Sequence, residues 1–213
     1  MSSSDQVVGE ILRGLYAGRF APGQKLAEAE LSKRFGVGRG TVREALRQMA
    51  AEGIVAVNMH KGASIRLLTR DDARDIVEVV ESIAGLSARL AAERGTAQGK
   101  GELRDLLAAM RPLTAHPDSF DFARARADFY AAVTILSGNR ELVRLLSTVQ
   151  VHLVRIQFRT AYWADQRDLG LIHYERMVDA ILAGDALKAE RAFRAHMRAF
   201  ARAVEALPDA HFG

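Results

Sequence analysis

The 213-residue sequence contains no cysteine. This absence excludes disulfide bonds, zinc–thiolate sites and thiol catalysis, and it suits a reducing compartment. The sequence also lacks an apolar run of the roughly 20 residues that a membrane-spanning helix needs. Its opening is polar, with Asp5 and Glu10, and does not resemble a secretory signal peptide. We therefore expect a soluble, cytoplasmic protein with no membrane partner.

Acidic residues are scarce in the first third of the chain. Residues 1–70 contain 11 Lys and Arg against 6 Asp and Glu, a balance of +5, whereas residues 71–213 contain 19 and 20, a balance of −1. A basic segment joined to a larger neutral one favours a polyanion-binding module attached to a second domain. The length allows one large domain or two small ones.

The first 68 residues have the pattern of a winged helix-turn-helix. Apolar residues at helical spacing predict helices over residues 5–16, 27–35 and 41–52. Two β-prone runs follow, at 54–57 and 63–67, and the turn formers between them favour a hairpin. Three helices and a hairpin make a winged helix, so we assign residues 1–68 to a DNA-binding domain.

Residues 69–213 are expected to form an all-α antiparallel bundle of six or seven helices, so the fold class is mainly α. Thr69 and Asp72 resemble a capping box at the start of the first of these helices. Glycine, proline and Ser-Gly-Asn breakers separate helical segments with short connections. Apolar stripes predict the buried faces; they include Ile76, Val79, Val80, Ile83 and Leu90, and later Phe193, Met197, Phe200 and Val204.

Arg39, Arg43 and Arg47 are spaced four residues apart, which places them in one basic stripe on and just before the third helix. A helix that is packed on one side and basic on another can lie in the major groove of duplex DNA. Gly38 and Gly40 allow the backbone to approach phosphates at the helix N-terminus. The alternative is a solvated helix face beside an ordinary hairpin.

Three ordered motifs resemble the GntR family of bacterial repressors and activators. They are the stretch from Gly18-Arg-Phe-Ala-Pro-Gly to Lys33-Arg-Phe-Gly-Val, then Val42-Arg-Glu-Ala-Leu-Arg-Gln-Met, then His60-Lys-Gly-Ala. The resemblance covers residues 5–68 and implies DNA contacts through specific side chains and a wing glycine. These are Arg39, Thr41, Arg43, His60 and Gly62, with Arg34 and Lys61 as phosphate contacts.

The sequence departs from the family pattern at the start of the third helix. Gly38 stands where the family usually has Ser or Thr, Gly40 where it has Thr, and Thr41 where it often has Pro. Two hydroxyls that commonly touch the operator backbone are thus missing. We expect weaker binding or an altered operator.

The second domain resembles the FadR-like branch of the same family, whose helical bundle encloses an effector pocket. The resemblance covers residues 71–205 and rests on loose motifs: Asp128-Phe-Tyr, Ser137-Gly-Asn, Asp179-Ala-Ile, Gly184-Asp and His196. Many members of this branch hold a divalent metal with one Asp and three His. Here Arg126 replaces the Asp, Tyr130 and Tyr174 replace two of the His, and only His196 is kept.

A metal is not expected at these positions, because a guanidinium cannot ligate a cation and repels it. A one-residue shift to His173 would restore one ligand but not three. Our hypothesis is that Arg126 binds the carboxylate of a small anionic effector directly, with hydrogen bonds from Tyr130, Tyr174 and His196. In the alternative, Arg126 pairs with Asp128 or Asp179, and the tyrosines fill a core.

The sequence therefore predicts a homodimeric, ligand-responsive transcription regulator that binds double-stranded DNA at a pseudo-palindromic operator. A constitutive DNA-binding repressor with a purely structural second domain is the first alternative. A helical-pocket enzyme with a basic appendage is the second. No nucleophile–base pair and no metal set support an enzyme, and no cofactor is expected.

Overall fold

The computed structural model describes residues 2–58, 62–116, 119–148 and 167–213. They divide into two compact units. The first contains residues 2–72 together with 208–213, and the second contains residues 73–148 and 167–207. The order of the elements confirms the predicted fold class, which is a winged helix-turn-helix followed by helices.

In its described part, the first unit contains three α-helices and a small antiparallel sheet. Strand β3 lies between β1 and β2, with Lys25 opposite Ser64 and Val57 opposite Ala63. This arrangement of three helices and a β2–β3 wing is the predicted winged helix. The elements are α1 (Ser3–Tyr16), β1 (Lys25–Leu26), α2 (Glu28–Phe35), α3 (Arg39–Ala51), β2 (Val55–Asn58) and β3 (Gly62–Ile65).

Two details of the first unit differ from the prediction. The sequence does not predict β1, because a two-residue strand is too short to show a periodicity. Helix α3 begins at Arg39, two residues earlier than expected, because Gly38 already has the extended backbone of an N-cap residue. Arg39 and Gly40 therefore lie in the first turn of α3 rather than before it.

The second unit is helical throughout its described part. Helix α8 packs along α9, and α5 contacts both α6 and α8. None of the described helices combines the length and the hydropathy required to traverse a bilayer. The helices are α4 (Arg70–Arg94, whose first turn belongs to the first unit), α5 (Ala97–Met110), a short 3-10 helix (Arg111–Ala115), α6 (Phe120–Leu136), α7 (Arg140–Thr148), α8 (Arg167–Leu182) and α9 (Ala186–Glu205).

The buried face of α4 is formed mainly by small residues. The predicted stripe is wrong at Val79, which is 50% exposed. A Cβ atom on Gly85 would lie 2.8 Å from Cγ of Arg194 on α9, so the two helices approach closely where residue 85 has no side chain. The side chains buried on this face include Ala73, Val77, Ala84, Ala88 and Ala91.

The segment that leads into α4 is fixed by the predicted capping box. The backbone N–H of Thr69 donates to Oδ2 of Asp72 at 3.0 Å, and the N–H of Asp72 donates to Oγ1 of Thr69 at 3.1 Å. Arg66 donates to Oδ1 of Asp72 at 2.8 Å. Partial burial raises the pKa of Asp72, but the hydrogen bonds from Thr69 and the charge of Arg66 outweigh it, and the net pKa is lowered.

The 208–213 segment packs against the same region of the first unit. The N–H of Gly213 donates to the carbonyl of Leu68 at 3.1 Å. Arg70 donates to Asp209 at 2.7 Å, and its guanidinium carbon lies 4.2 Å from the ring centroid of Phe212. Residues 66–72 are therefore held by hydrogen bonds within the segment and by contacts from residues 209–213.

We expect Asp72→Asn to lower the free energy of unfolding at pH 7 by about 1 kcal/mol, because it weakens a helix cap and removes the anion beside Arg66. Since the folded-state pKa of Asp72 is lowered, its contribution is present above the unfolded pKa of about 3.8 and is lost as the pH falls through the folded value. Urea unfolding of the wild-type protein and of Asp72→Asn at pH 7 and pH 3 measures this contribution. If the two proteins differ in free energy of unfolding by the same amount at both pH values, the role assigned to the Asp72 carboxylate is contradicted.

Candidate functional site

Helix α3 buries one face and exposes the other. Arg39, Arg43 and Arg47 lie on the exposed face, and the side chains of Arg43 and Arg47 are 55% and 71% exposed. The basic stripe predicted from their spacing therefore faces solvent. The opposite face packs toward α1 and α2. Its buried side chains, each at most 4% exposed, are Val42, Ala45, Leu46 and Met49.

The N-terminus of α3 is open. Gly38 is the N-cap residue, with φ −66° and ψ 151°, and among the described residues no side chain caps this helix end. A Cβ atom at Gly38 or Gly40 would meet no described heavy atom within 4 Å. Packing therefore requires neither glycine. Uncapped N–H groups at a helix N-terminus attract phosphate oxygens, so this end of α3 suits a polyanion.

Arg43 is engaged by a carboxylate from another helix. Its Nε donates to Oε1 of Glu28 at 2.9 Å and its Nη2 donates to Oε2 at 2.8 Å, so the contact is bidentate. The hydrogen bond from Arg43 lowers the pKa of Glu28, and the charges of Arg39 and Arg47 lower it further. The pair joins α2 to α3 across 15 residues of sequence. Glu28 cannot be identified from the sequence, because no local spacing signals a tertiary pair of this kind.

Arg39 and Arg47 are less engaged than Arg43. Among the described residues, no carboxylate lies within salt-bridge distance of Arg39, and Arg47 approaches Glu44 at 3.8 Å. The Arg43–Glu28 pair is itself partly open to solvent, with Glu28 34% exposed. The arginine stripe is thus accessible in the first unit, although one of its members is held by a carboxylate.

The other predicted contacts surround α3. Thr41 lies half-buried in its first turn. Arg34 is exposed, with its guanidinium carbon 4.7 Å from the ring centroid of Phe20. Gly62 begins β3 at the wing with φ 77°, a backbone conformation that favours glycine. His60 and Lys61 lie outside the described residues.

A groove runs between α3 and the wing. It is lined by basic side chains, the Glu28 carboxylate and residues of both wing strands. These lining residues include Lys25, Glu28, Arg43, Arg47, Val57 and Gly62. Val57, on β2 of the wing, is 63% exposed. The groove brings together the stripe on α3 and the wing that the sequence assigned to one DNA-binding surface.

In the second unit, three of the four predicted pocket residues form one hydrogen-bonded cluster. The hydroxyl of Tyr130 lies 2.6 Å from that of Tyr174 and 2.8 Å from Nε2 of His196. Tyr174 and His196 are buried, at 1% and 4% exposure. Phe193 stacks on Tyr130 at 5.4 Å between ring centroids. Helices α6, α8 and α9 each contribute at least one ring, so the cluster is tertiary.

Arg126 lies one helical turn before Tyr130 on α6, which places both on one face of that helix. It is 5% exposed, and its guanidinium carbon lies 5.5 Å from the ring centroid of Phe122. The carboxylate of Asp128, one of the two partners considered for Arg126, instead approaches Arg124 at 4.0 Å. A buried guanidinium therefore lies near a buried polar cluster.

The side chains at these positions do not fit the metal site of the FadR-like branch, which the second domain resembles. Two phenols, one imidazole and a guanidinium stand at the positions considered, and a guanidinium cannot ligate a cation. Burial lowers the pKa of His173, with further contributions from Arg176 and Arg202. His173 lies 5.6 Å from His196 between ring centroids, so it adjoins the cluster. In the described part of the chain, no three His, Asp or Glu side chains could share a metal ion.

Comparison with protein families assigns both parts of the chain. Residues 3–65 match the bacterial regulatory proteins of the gntR family. Residues 75–199 match the FCD domain. The two matched ranges fall on the winged helix and on the helical segment that follows it.

Individual relatives agree with these matches. The chain is 28% identical, over 92% of its length and 86% of the relative, to a probable D-xylose utilization operon transcriptional repressor of Paenarthrobacter nicotinovorans. It is 30% identical, over 77% of its length and 76% of the relative, to the Nta operon transcriptional regulator of Aminobacter aminovorans. Among solved structures, E. coli McbR/YncC has the same fold, with a TM-score of 0.78 at 20% identity over 93% of this chain and 94% of that one.

We expect Gly40→Ala to stabilise the protein by about 0.5 kcal/mol, because alanine restricts the unfolded chain and residue 40 has a helical backbone with open space around it. Gly36→Ala is the matched control. Residue 36 also has open space, but its φ is 66°, so alanine there should destabilise by about 1 kcal/mol. Urea unfolding measures the change in the free energy of unfolding for each variant. Changes of the same sign would show that the backbone conformations of residues 36 and 40 do not differ as described.

Proposed function

The chain belongs to the GntR family of bacterial transcription regulators and carries an FCD domain, and we propose that it is a ligand-responsive homodimer acting on a pseudo-palindromic operator. Members of this family bind DNA and are not enzymes. The observation that carries this proposal is the exposed arginine stripe on α3.

The DNA-binding surface consists of the α3 stripe, its N-terminus and the wing. Arg39 and Arg43 face the major groove, where a guanidinium fork matches the O6 and N7 acceptors of guanine. Thr41 and the uncapped N-terminus of α3 approach the backbone. Arg34, His60, Lys61 and Gly62 extend the surface toward neighbouring phosphates and the adjacent groove. The exposure of the Arg39 and Arg43 side chains supports this assignment.

A homodimer follows from the way such a surface reads DNA. One recognition helix covers only a few base pairs, and two related by a twofold axis reach successive major grooves, with half-sites about 10 base pairs apart. The operator is then a pseudo-palindrome. A regulator of bacterial DNA works in the cytoplasm, which we propose for this chain.

We further propose that the cluster around Tyr130 binds a small organic acid without a metal. Arg126 supplies the positive charge that a metal supplies in related sites, and a bidentate contact suits a carboxylate. Tyr130, Tyr174 and His196 supply hydrogen bonds beside it. The effector alters operator affinity only to the extent that it binds two conformations of the protein differently.

One observation favours the alternative of a constitutive repressor. The Tyr130 hydroxyl already contacts both Tyr174 and His196, and aromatic rings surround the group. Polar side chains that hydrogen-bond to one another are also found in purely structural cores. The helical domain would then serve dimerisation alone.

We expect Arg39→Ala to weaken binding to a duplex selected from random sequences by the wild-type protein, by about 10- to 100-fold, as for the loss of a base or phosphate contact. If Arg39 contacts a phosphate, the slope of log K against log salt falls by about 2 per dimer. Fluorescence anisotropy over a salt series measures both quantities.

The matched control for this change is Arg104→Ala, which removes an exposed arginine from α5 in the second unit. It should leave the affinity and the salt slope unchanged. Equal losses from the two substitutions would show that net charge alone governs binding, and the α3 surface would then not be the interface.

We expect a panel of acetate, lactate, succinate and citrate to include at least one acid that raises the melting temperature of the wild-type protein, since a ligand of the folded state stabilises it by mass action. Arg126→Met should lower the affinity of the protein for that acid by about 10- to 100-fold, the usual range for loss of a charged hydrogen bond. Thermal shift over a concentration series gives both affinities.

Arg124→Met is the control for Arg126→Met, because it removes an exposed arginine from the same helix. It should leave the acid response intact. An unchanged response in Arg126→Met excludes Arg126 from the site. If no acid in the panel stabilises the wild-type protein, the constitutive alternative is favoured.

A further inference from the structure

We propose that a stripe of aliphatic side chains on α4 is the dimer interface of this protein, and that it pairs with the same stripe of a second copy of the chain, antiparallel across a twofold axis. The proposal rests on the homodimer of the proposed function and assigns its contact surface. Such an interface covers Val79, which the sequence predicts to be buried and the structure exposes. The stripe consists of Ile76, Val79, Ile83 and Leu86.

Helix α4 turns mainly small side chains toward its own chain and larger ones toward solvent. Alanine, glycine, serine and valine make up its buried positions, apart from Leu90. Val79 and Leu86 are instead 50% and 36% exposed, and Ile76 and Ile83 are partly exposed. Burying a leucine or isoleucine removes more apolar surface from water than burying an alanine. This reversal of size indicates a second packing surface on α4.

The four aliphatic side chains are spaced for packing against another helix. They recur at intervals of three, four and three residues, which is the spacing of a coiled-coil seam along one side of α4. Single aliphatic residues on a surface are common, whereas a continuous row marks a surface that a partner can cover. The stripe therefore has the form of a helix–helix contact whose second helix is absent from the described chain.

The residues beside the stripe favour a second copy in the antiparallel direction. Asp75, Ser82 and Arg89 are exposed and follow one another at seven-residue intervals. If two copies of α4 cross antiparallel at Ser82, Asp75 of each lies opposite the partner's Arg89. In a parallel pair, Asp75 would face the partner's Asp75, and like charges repel. The antiparallel pair is isologous, because each copy gives and receives the same contact.

Both charged side chains are accessible for this contact. In the described part of the chain, no cation lies within salt-bridge distance of Asp75. Arg89 donates to Glu93 on its own helix at 3.2 Å and lies 4.0 Å from Glu190 on α9, but its side chain remains 44% exposed. Exposed ion pairs are weak, so Arg89 can turn to a carboxylate of the partner. The charges select the direction of pairing, and the aliphatic stripe supplies most of the affinity.

The length of the stripe sets the expected strength of the dimer. From Ile76 to Leu86 the helix rises about 15 Å. Stable complexes commonly bury about 800 Å² per partner, and a stripe of this length with its flanking charges provides less. The wild-type dimer should therefore dissociate at a measurable concentration, with a Kd on the order of micromolar.

The first experiment measures the dimer Kd by sedimentation equilibrium for the wild-type protein and for the double variant Val79→Glu with Leu86→Glu. We expect the Kd of the double variant to be higher by about 100-fold or more, because four carboxylates would be buried in one apolar contact. Ile135→Glu is the matched control. It replaces a 66% exposed aliphatic side chain on α6 and should leave the Kd unchanged. Circular dichroism verifies that each variant remains helical.

The second experiment determines the direction of pairing, and it uses the absence of native cysteine. Ser82→Cys places the two thiols of a dimer near the twofold axis, where a bismaleimide shorter than two helical turns should link them. Asp75→Cys places them about 21 Å apart in an antiparallel pair, so it should give no covalent dimer. Gln98→Cys, at an exposed position of α5, is the control for random collisions.

The outcomes separate this inference from the function on which it rests. If the wild-type protein is monomeric at every concentration, the homodimer of the proposed function fails together with its interface. If the wild-type protein dimerises and the double variant dimerises as strongly, or Ile135→Glu weakens the dimer equally, the homodimer stands and the α4 interface is overturned. A covalent dimer of Asp75→Cys, or none of Ser82→Cys, overturns the antiparallel pairing.

Discussion

The packing of α3 against α1 and α2 decides what the first unit can do. An α-helix has one orientation about its axis that buries an apolar stripe, and here Val42, Ala45, Leu46 and Met49 fix that orientation. Every residue four apart from Arg39 is then exposed, and the arginines need no interaction of their own to face outward. The open N-terminus and the neighbouring wing acquire their positions from the same packing. The exposed basic surface that we propose binds DNA is thus positioned by the burial of the opposite face of α3.

The two polar clusters of the molecule differ in what solvent does to them. The Arg43–Glu28 pair is partly exposed, so water and salt compete for both partners and the pair exchanges readily. The Tyr130–Tyr174–His196 cluster is largely buried, and breaking it leaves polar atoms without water to replace the lost bonds. The first arrangement suits a surface contact that can rearrange. The second suits a site of fixed geometry, whether it binds an acid or only orders the core.

Local patterns predict most of the fold and part of the site. The arginine stripe, the capping box of Thr69 and Asp72, and the buried face of α9 follow from spacings of three or four residues, which helical geometry fixes. Glu28 lies 15 residues from Arg43, and only the tertiary packing of α2 on α3 brings them together. The buried alanines of α4 are not predicted, because small residues give only a weak hydrophobic periodicity. Gly85 is not predicted either, because its lack of a side chain makes room for the side chain of Arg194, which lies on another helix. Sequence thus fixes the element and its face, but not the partner across a tertiary contact.

The chain segments that join the two units are ordered where the structure describes them. Among the described residues, the chain passes from the first unit to the second within the first turn of α4 and returns to the first unit after Leu207. At the first crossing, Asp72 accepts from Arg66 and Thr69, and at the second, the 208–213 segment holds Arg70 and Leu68. A flexible linker would let each unit relax independently, and a ligand in one would then leave the other unchanged. Both of these described crossings are instead held by hydrogen bonds of residues 66–72 within the first unit, which is the local order that the proposed effector response requires.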